Sequence, residues 1–391
     1  MLLPRSALRP AVTRRLLPAV AAALLLAACG GESASNPPAS TTADPPSASS
    51  SGESATDATD EPPTISEPRG PLGSGEPVTL AFAGDASFQG LVDAVTADPD
   101  GLLSAIAPVL TAADVSVVNL EAALGTAGNP EPKSFAFQAP PQALDALRSA
   151  GVDAVTMANN HGMDHGEEGL ADSLAIRAST GFPVLGIGAD EDEAYSPWIT
   201  DVRGQRIGVI AANDVFDSNL VTRWTAGPDK PGIASAEEAH QERLADEVRR
   251  TRALVDTLVV YLHYGTETQT CPNGRQQELA ALMTDAGADI VVGSHAHRLQ
   301  GMGYLGDQFV AYGLSNFIFQ APSEPGRRSG VLTVSATGRR IDGYHWDPAV
   351  LQGNLPVPLS GAAQDAGRAA MDELQGCTGL SGVPTGPGFG G

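Results

Sequence analysis

Five times between residues 78 and 297 a short apolar run breaks off at a residue able to bind a metal ion. The run 78–83 stops at Gly84-Asp85, the run 115–119 at Leu120-Glu121, and the run 154–157 at Asn159-Asn160-His161. The run 258–262 stops at His263, and 290–292 leads through Gly293 to His295 and His297. Runs this short and rich in β-branched residues predict strands. Between them Leu102, Leu103, Ile106, Val109 and Leu110 recur at helical spacing, as do Leu279, Leu282 and Met283, and 142–150 and the stretch around Leu170 and Leu174 also read as helix. Ser235 with Glu238 three residues on predicts a capping box that opens another helix. Strands that alternate with helices imply an α/β fold layered around a buried sheet, and open sheets of this kind gather their ligands past the carboxyl ends of the strands.

Each polar residue also has an ordinary explanation when taken alone. An aspartate after glycine caps helices, Glu121 reads as a loop acid, Asn160 and His161 as turn residues, and His263 as a satisfied buried histidine. Taken alone, His295 and His297 also read as a pair of surface histidines in a polar turn, and only their company argues for more. In an extended backbone residues i and i+2 point the same way, and neutral imidazole is the commonest metal ligand. Five such strand ends in one chain are a pattern that the separate explanations do not produce together.

The ends of the chain are of different material. Residues 1–28 carry Arg5, Arg9, Arg14 and Arg15 ahead of an apolar run 16–26, too short to span a membrane, and read as an export signal. The run closes on Leu26-Ala27-Ala28-Cys29, which resembles a bacterial lipobox and predicts an exported protein anchored to the outer face of the cell membrane by lipid on Cys29. Residues 29–75 are Ser, Thr, Pro, Ala and acids with almost no large apolar side chain, and predict a disordered tether. The folded domain is expected over 76–352, and 353–391 as a loosely structured tail with a helical patch near 369–374. In an oxidising compartment Cys271 and Cys377 are candidates for a disulfide, and two free thiols are the alternative. The formal net charge of −23 and the lack of a basic stripe argue against nucleic acid as a partner.

Taken in order, Gly84-Asp85, Asn119-Leu120-Glu121, A-N-N-H-x-x-D-x-G from Ala158 to Gly166, H-x-G-x-E from His263 to Glu267, G-x-H-x-H from Gly293 to His297, and Y-x-L-x-N-F-I-F from Tyr312 to Phe319 resemble the motifs of the CapA family of capsule-synthesis proteins. The resemblance covers roughly 78–320. It departs where Tyr264 stands for tryptophan, where Ala296 stands for proline, and in the exchange of Gly313 and Ser315. The histidine that calcineurin-like phosphoesterases carry two residues after the first aspartate is Ser87 here.

The resemblance implies a layered metallophosphatase-like (calcineurin-like) α/β fold with mixed central sheets flanked by helices. It implies two divalent ions (Mn, Zn or Fe), one on Asp85 and His297, the other on Asn160, His263 and His295, with Glu121 between them. His161 would be the general acid and Asp164 its orienting partner, and Glu267 would stand behind a ligand histidine. Two functions follow. One is a metal-dependent hydrolase of a phosphoester or an anionic envelope polymer, tied to poly-γ-glutamate capsule synthesis. The other is a non-enzymatic accessory to polyglutamate assembly or export, working beside membrane-bound polyglutamate synthase components with a binding or structural metal site.

Overall fold

The computed structural model describes residues 75–386. The expected signal 1–28, Cys29 and all of the 29–75 tether except Gly75 lie outside the described residues, as do 387–391. No helix among the described residues is long and apolar enough to cross a membrane.

The strands of the two main sheets are, in chain order, β1 (Val78–Ala86), β2 (Val115–Leu120), β3 (Ala154–Thr156), β4 (Val184–Leu185), β5 (Trp198–Val202), β6 (Gln205–Asn213), β7 (Thr257–Tyr264), β8 (Ile290–His295), β9 (Leu299–Leu305), β10 (Gln308–Leu314), β11 (Asn316–Ile318), β12 (Arg328–Thr337), β13 (Arg340–Gln352) and β14 (Leu355–Pro358). One sheet runs β14-β13-β12-β1-β2-β3-β4 with β11 also on β1, and the other runs β9-β10-β8-β7-β6-β5. Strands β1 to β4 are parallel, as are β6, β7, β8 and β10, and β11 is parallel to β1, while the remaining pairs are antiparallel. The fold is thus α/β and metallophosphatase-like, with two mixed sheets.

Side-chain parity explains the layering. In β7, Val259 and Tyr261 face the core shared with the first sheet, while Val260 and Leu262 face a second core. Ile290 and Val292 against Val291 in β8 divide in the same way. Helices α1 (Gln241–Arg252) and α2 (Gly274–Ala286) cover the second core with Leu244, Val248, Leu279 and Met283. Strands buried on both faces need continuous apolar sequence, which is what made the runs conspicuous. The Tyr261 hydroxyl donates to the carbonyl of Ala83 at 2.8 Å and ties the two sheets together beside the site.

Two expectations change. Ser235 opens no helix: it bridges Asn213, its N–H bonds the Tyr195 hydroxyl, and α1 starts six residues later. The capping box is instead Asn273 with Gln276, at the start of α2. Late in the chain β9 carries it back across the sheet, so β10 runs parallel to β8, and β11 pairs in parallel with β1. Residues 353–386 are not loose. They form β14 and α3 (Ala362–Leu374), Ser381 pairs with Tyr304, and Cys271 and Cys377 are bonded with Cα atoms 5.7 Å apart. A bridge spanning 106 residues is worth on the order of 4 to 5 kcal/mol in the chain-entropy account, which offsets the small apolar face that α3 buries.

Candidate metal centre

Because β1 to β3 are parallel to one another, as are β7 and β8, each set brings its carboxyl ends to one rim, and the chemistry-bearing residues collect where the rims meet. Asp85 sits in register with Asn119 on one side and Asn316 on the other. The close approach depends on Gly84, where a Cβ would lie 1.9 Å from the carbonyl oxygen of Ser315. On the second sheet His263 pairs in register with Ser294, and Tyr264 with His295.

His295 and His297 do not converge as an extended i, i+2 pair. Their φ angles are +96° and +49°, and Ser315 across from them is at +60°. Non-glycine residues held there cost on the order of 1 to 3 kcal/mol each, strain of the kind that accumulates at functional sites. This turn aims the His295 ring at His263 and the His297 ring at Asp85.

Two groups of donor atoms result, and both include Glu121. In one, His263 Nε2 lies 2.8 Å from Asn160 Oδ1, 3.1 Å from His295 Nδ1 and 3.5 Å from Glu121 Oε1. In the other, His297 Nδ1 lies 3.2 Å from Asp85 Oδ2, and its Nε2 lies 3.8 Å from Glu121 Oε1. Atoms that share one ion at about 2.0–2.2 Å stand roughly 3.0–3.5 Å apart, so the first group has the spacing of a ligand set.

The test of fit is Glu121. It is fully buried, and neither carboxylate oxygen has a hydrogen-bond partner among the described residues. A buried carboxylate with both oxygens unpaired costs several kcal/mol and needs a cation or a proton. Without a cation, burial and then the neighbouring Asp85 push its carboxyl well above the usual range. Burial opposes a charge on His297, but Glu121 and Asp85 together raise it to about 9. His295 falls to about 3, from burial and from His297, and burial holds His263 well below the usual histidine range. The neutral imidazoles of His263 and His295 beside carboxylates make a mixed nitrogen and oxygen donor set of the kind that suits divalent metal ions.

The surroundings hold these groups in place. Asn119 Nδ2 donates to Asp85 Oδ1 at 2.8 Å, and the backbone N–H of His295 reaches Asp85 Oδ2 at 3.3 Å. The tautomer of His263 that donates from Nδ1 to the Ser294 hydroxyl, 3.0 Å away, leaves its Nε2 lone pair facing the first group. His297 Nδ1 also meets Asn316 Oδ1 at 2.8 Å. Asn316 and Asn119 carry no role in the sequence motifs, because the strand register that sets Asp85 between residues 34 and 231 positions away cannot be read along the chain.

His161 stands at the edge of the centre. Its Nδ1 is 2.5 Å from Asp164 Oδ2, its Nε2 is 3.9 Å from Glu121 Oε1, and its ring stacks on Phe137 with centroids 4.1 Å apart. Burial lowers its pKa and Asp164 pulls the other way. Lys133 donates to Asp164 Oδ1 at 2.8 Å and to the carbonyl of Asn160 at 2.5 Å, fixing both neighbours of His161 from behind. It is one of two lysines in the whole chain, a rarity that was its only sequence signal. Glu267 makes no hydrogen bond to a ligand histidine, although its charge still acts on His297. Gly265 at φ +104° and Thr268 at +66° turn its loop outward, leaving Glu267 exposed and without a hydrogen bond among the described residues.

The profile of the family described as "Bacterial capsule synthesis protein PGA_cap" matches residues 79–321. The "PGA biosynthesis protein CapA" of Bacillus subtilis (strain 168) is 28% identical over 295 residues, 73% of this chain and 75% of that protein. The "Probable polyglutamine synthesis accessory protein" of Mycobacterium tuberculosis (strain CDC 1551 / Oshkosh) is 28% identical over 192 residues, 48% of this chain and 50% of that protein. A crystal structure of a hypothetical protein from Thermus thermophilus gives a TM-score of 0.44 at 15% identity, covering 70% of this chain and all of that one, a likeness too remote to bear on function. With its profile matched across more than half the chain, the protein belongs to the bacterial capsule synthesis protein PGA_cap family.

Proposed function

We propose that this protein is a metal-dependent hydrolase of a phosphoester or an anionic envelope polymer, serving poly-γ-glutamate capsule biosynthesis. The observation that carries the reading is the buried, unpartnered carboxylate of Glu121 shared by two groups of histidine and acidic donors. Asp85, Glu121 and His297 would hold one divalent ion, and Asn160, His263, His295 and Glu121 a second. Bound ions supply Lewis acidity and lower the pKa of water. The chain's own residues do the rest. Asp164 and Lys133 fix the His161 ring, and His161 delivers a proton to the leaving group, an oxygen in a phosphoester and a nitrogen in a γ-glutamyl amide. Phe137 and Phe319 form an apolar wall against bulk water on that side.

The test is metal content together with a phosphodiester and polymer panel, on wild type and His295→Ala. Divalent metal in the wild type and its loss with activity in the variant are expected. No copurifying metal, or a variant unchanged in metal and turnover, sinks the hydrolase. Metal retained with no turnover on any substrate favours a non-enzymatic accessory role in polyglutamate assembly, in line with the mycobacterial relative being named a probable polyglutamine synthesis accessory protein.

The leader residues support export and anchoring at the outer face of the membrane through lipid on Cys29, beside membrane-bound synthase components. Labelling of cells with a lipid precursor should mark the wild type and not Cys29→Ser. Equal labelling of the two refutes the anchor.

A further inference from the structure

Next to the centre, a cavity of about 450 Å³ is lined by Phe319, Arg327, Leu351, Gln352 and Asn354 among others. All of these but Phe319 lie beyond the stretch matched by the family profile. Phe319 is the partition. One side of its ring packs on His297, with centroids 4.7 Å apart, and its edge meets Phe137 at 5.8 Å, while it also lines the cavity. A ligand in the cavity is therefore one aromatic ring away from the candidate ligands.

The charge in this cavity is unusual for the chain. Acids outnumber basic residues 46 to 23, and among the described residues every other arginine and lysine side chain is engaged in a hydrogen bond or ion pair. Arg327 alone among them makes neither, although its neighbour Arg328 takes Glu324 at 3.2 Å. The backbone that carries Arg327 is tied to the centre: Asn316 donates from Nδ2 to the carbonyl of Gly326 at 2.8 Å and meets His297 through Oδ1. The side-chain amides of Gln352 and Asn354 likewise have no partner among the described residues, while the Asn354 carbonyl accepts from the N–H of Phe319 at 3.1 Å. A planar guanidinium with free amides beside it and an apolar wall matches a planar oxyanion. One guanidinium with no second cation in the cavity balances a monoanion, which suits a carboxylate better than a phosphomonoester carrying nearly two charges.

We propose that this cavity is a subsite for the carboxylate on the polymer unit next to the one held at the metal centre, with Arg327 as its counter-charge and Phe319 as the spacer. The assignment rests on the hydrolase reading above and narrows its substrate to a carboxylate-bearing polymer. It makes Arg327 a specificity residue.

The test is calorimetric titration of the full-length, metal-loaded chain with a short γ-linked glutamate oligomer, the same oligomer with its free carboxylates amidated, polyphosphate, and inorganic phosphate. Arg327→Ala is expected to weaken the glutamate oligomer roughly 10- to 100-fold, with Arg327→Lys in between because it keeps charge and loses the fork. Inorganic phosphate affinity and metal content should not move, since Arg327 is exposed and touches no candidate ligand. The amidated oligomer should bind wild type and Arg327→Ala alike. Equal binding of the acidic oligomer to wild type and Arg327→Ala, or no binding to wild type, overturns the subsite. Dependence on Arg327 with polyphosphate alone overturns the carboxylate assignment. Loss of metal with the Arg327 effect intact removes the hydrolase and spares the subsite. Metal and phosphate binding intact without the Arg327 effect does the reverse.

Discussion

Glu121→Gln is expected to strip the centre of metal and at the same time to stabilise the metal-free chain. Both donor groups use this side chain, so its loss affects both sites. Loss of a partner behind a ligand already costs about 10- to 100-fold in metal affinity, and loss of a shared ligand should exceed the upper end of that range. In the metal-free chain the balance reverses. The carboxylate is fully buried, beside Asp85, and without a hydrogen bond among the described residues, so an uncharged isostere should raise stability by about 1 to 3 kcal/mol. Metal analysis and thermal melts with and without chelator read both effects. A variant that keeps wild-type metal, or whose chelated form melts no higher than chelated wild type, refutes the shared role. The same comparison separates this residue from a structural acid, whose loss lowers stability in both states.

His161→Gln should leave metal content unchanged and lower kcat by roughly 10²- to 10⁴-fold, the range for a general acid. Its Nδ1 is committed to Asp164 at 2.5 Å, and its Nε2 approaches Glu121 no closer than 3.9 Å, so it lies outside both donor groups. The loss should shrink for substrates with good leaving groups, which need little protonation. Asp164→Asn should act in the same direction but less strongly, because Phe137 still stacks on the ring and Lys133 still holds the backbone of Asn160. If His161→Gln loses metal in parallel with activity, the histidine is a ligand and the assignment of roles is wrong.

The strand ends were legible because the chemistry there is dense and local. Asp85, Glu121, Asn160, His263, His295 and His297 each follow an apolar run, and apolar runs show in a sequence whatever they pack against. What failed was context. Ser235 and Glu238 have capping-box spacing, yet a bridge to Asn213 claims Ser235 and overrides the local preference. Glu267 sits in a motif beside a ligand candidate, yet its loop, with Gly265 and Thr268 at positive φ, leaves it exposed and without a hydrogen bond to a ligand histidine. The long strand Arg340–Gln352 was missed because Asp342, Gly343 and Pro348 interrupt its apolar alternation, which a strand near the sheet edge tolerates.

By itself the sequence determined the α/β class, the run of strands with reactive ends and the identity of the candidate ligands, because burial and side-chain chemistry are properties of residues and of short windows. Only the tertiary structure decided which of those residues meet. Glu121 became the shared member of two donor groups, Lys133 and Asn316 entered as supports, and Arg327 emerged as a cation without a partner among the described residues. These are facts of register between strands far apart in the chain and of turns that hold His295 and His297 at positive φ, and distance along a sequence carries neither.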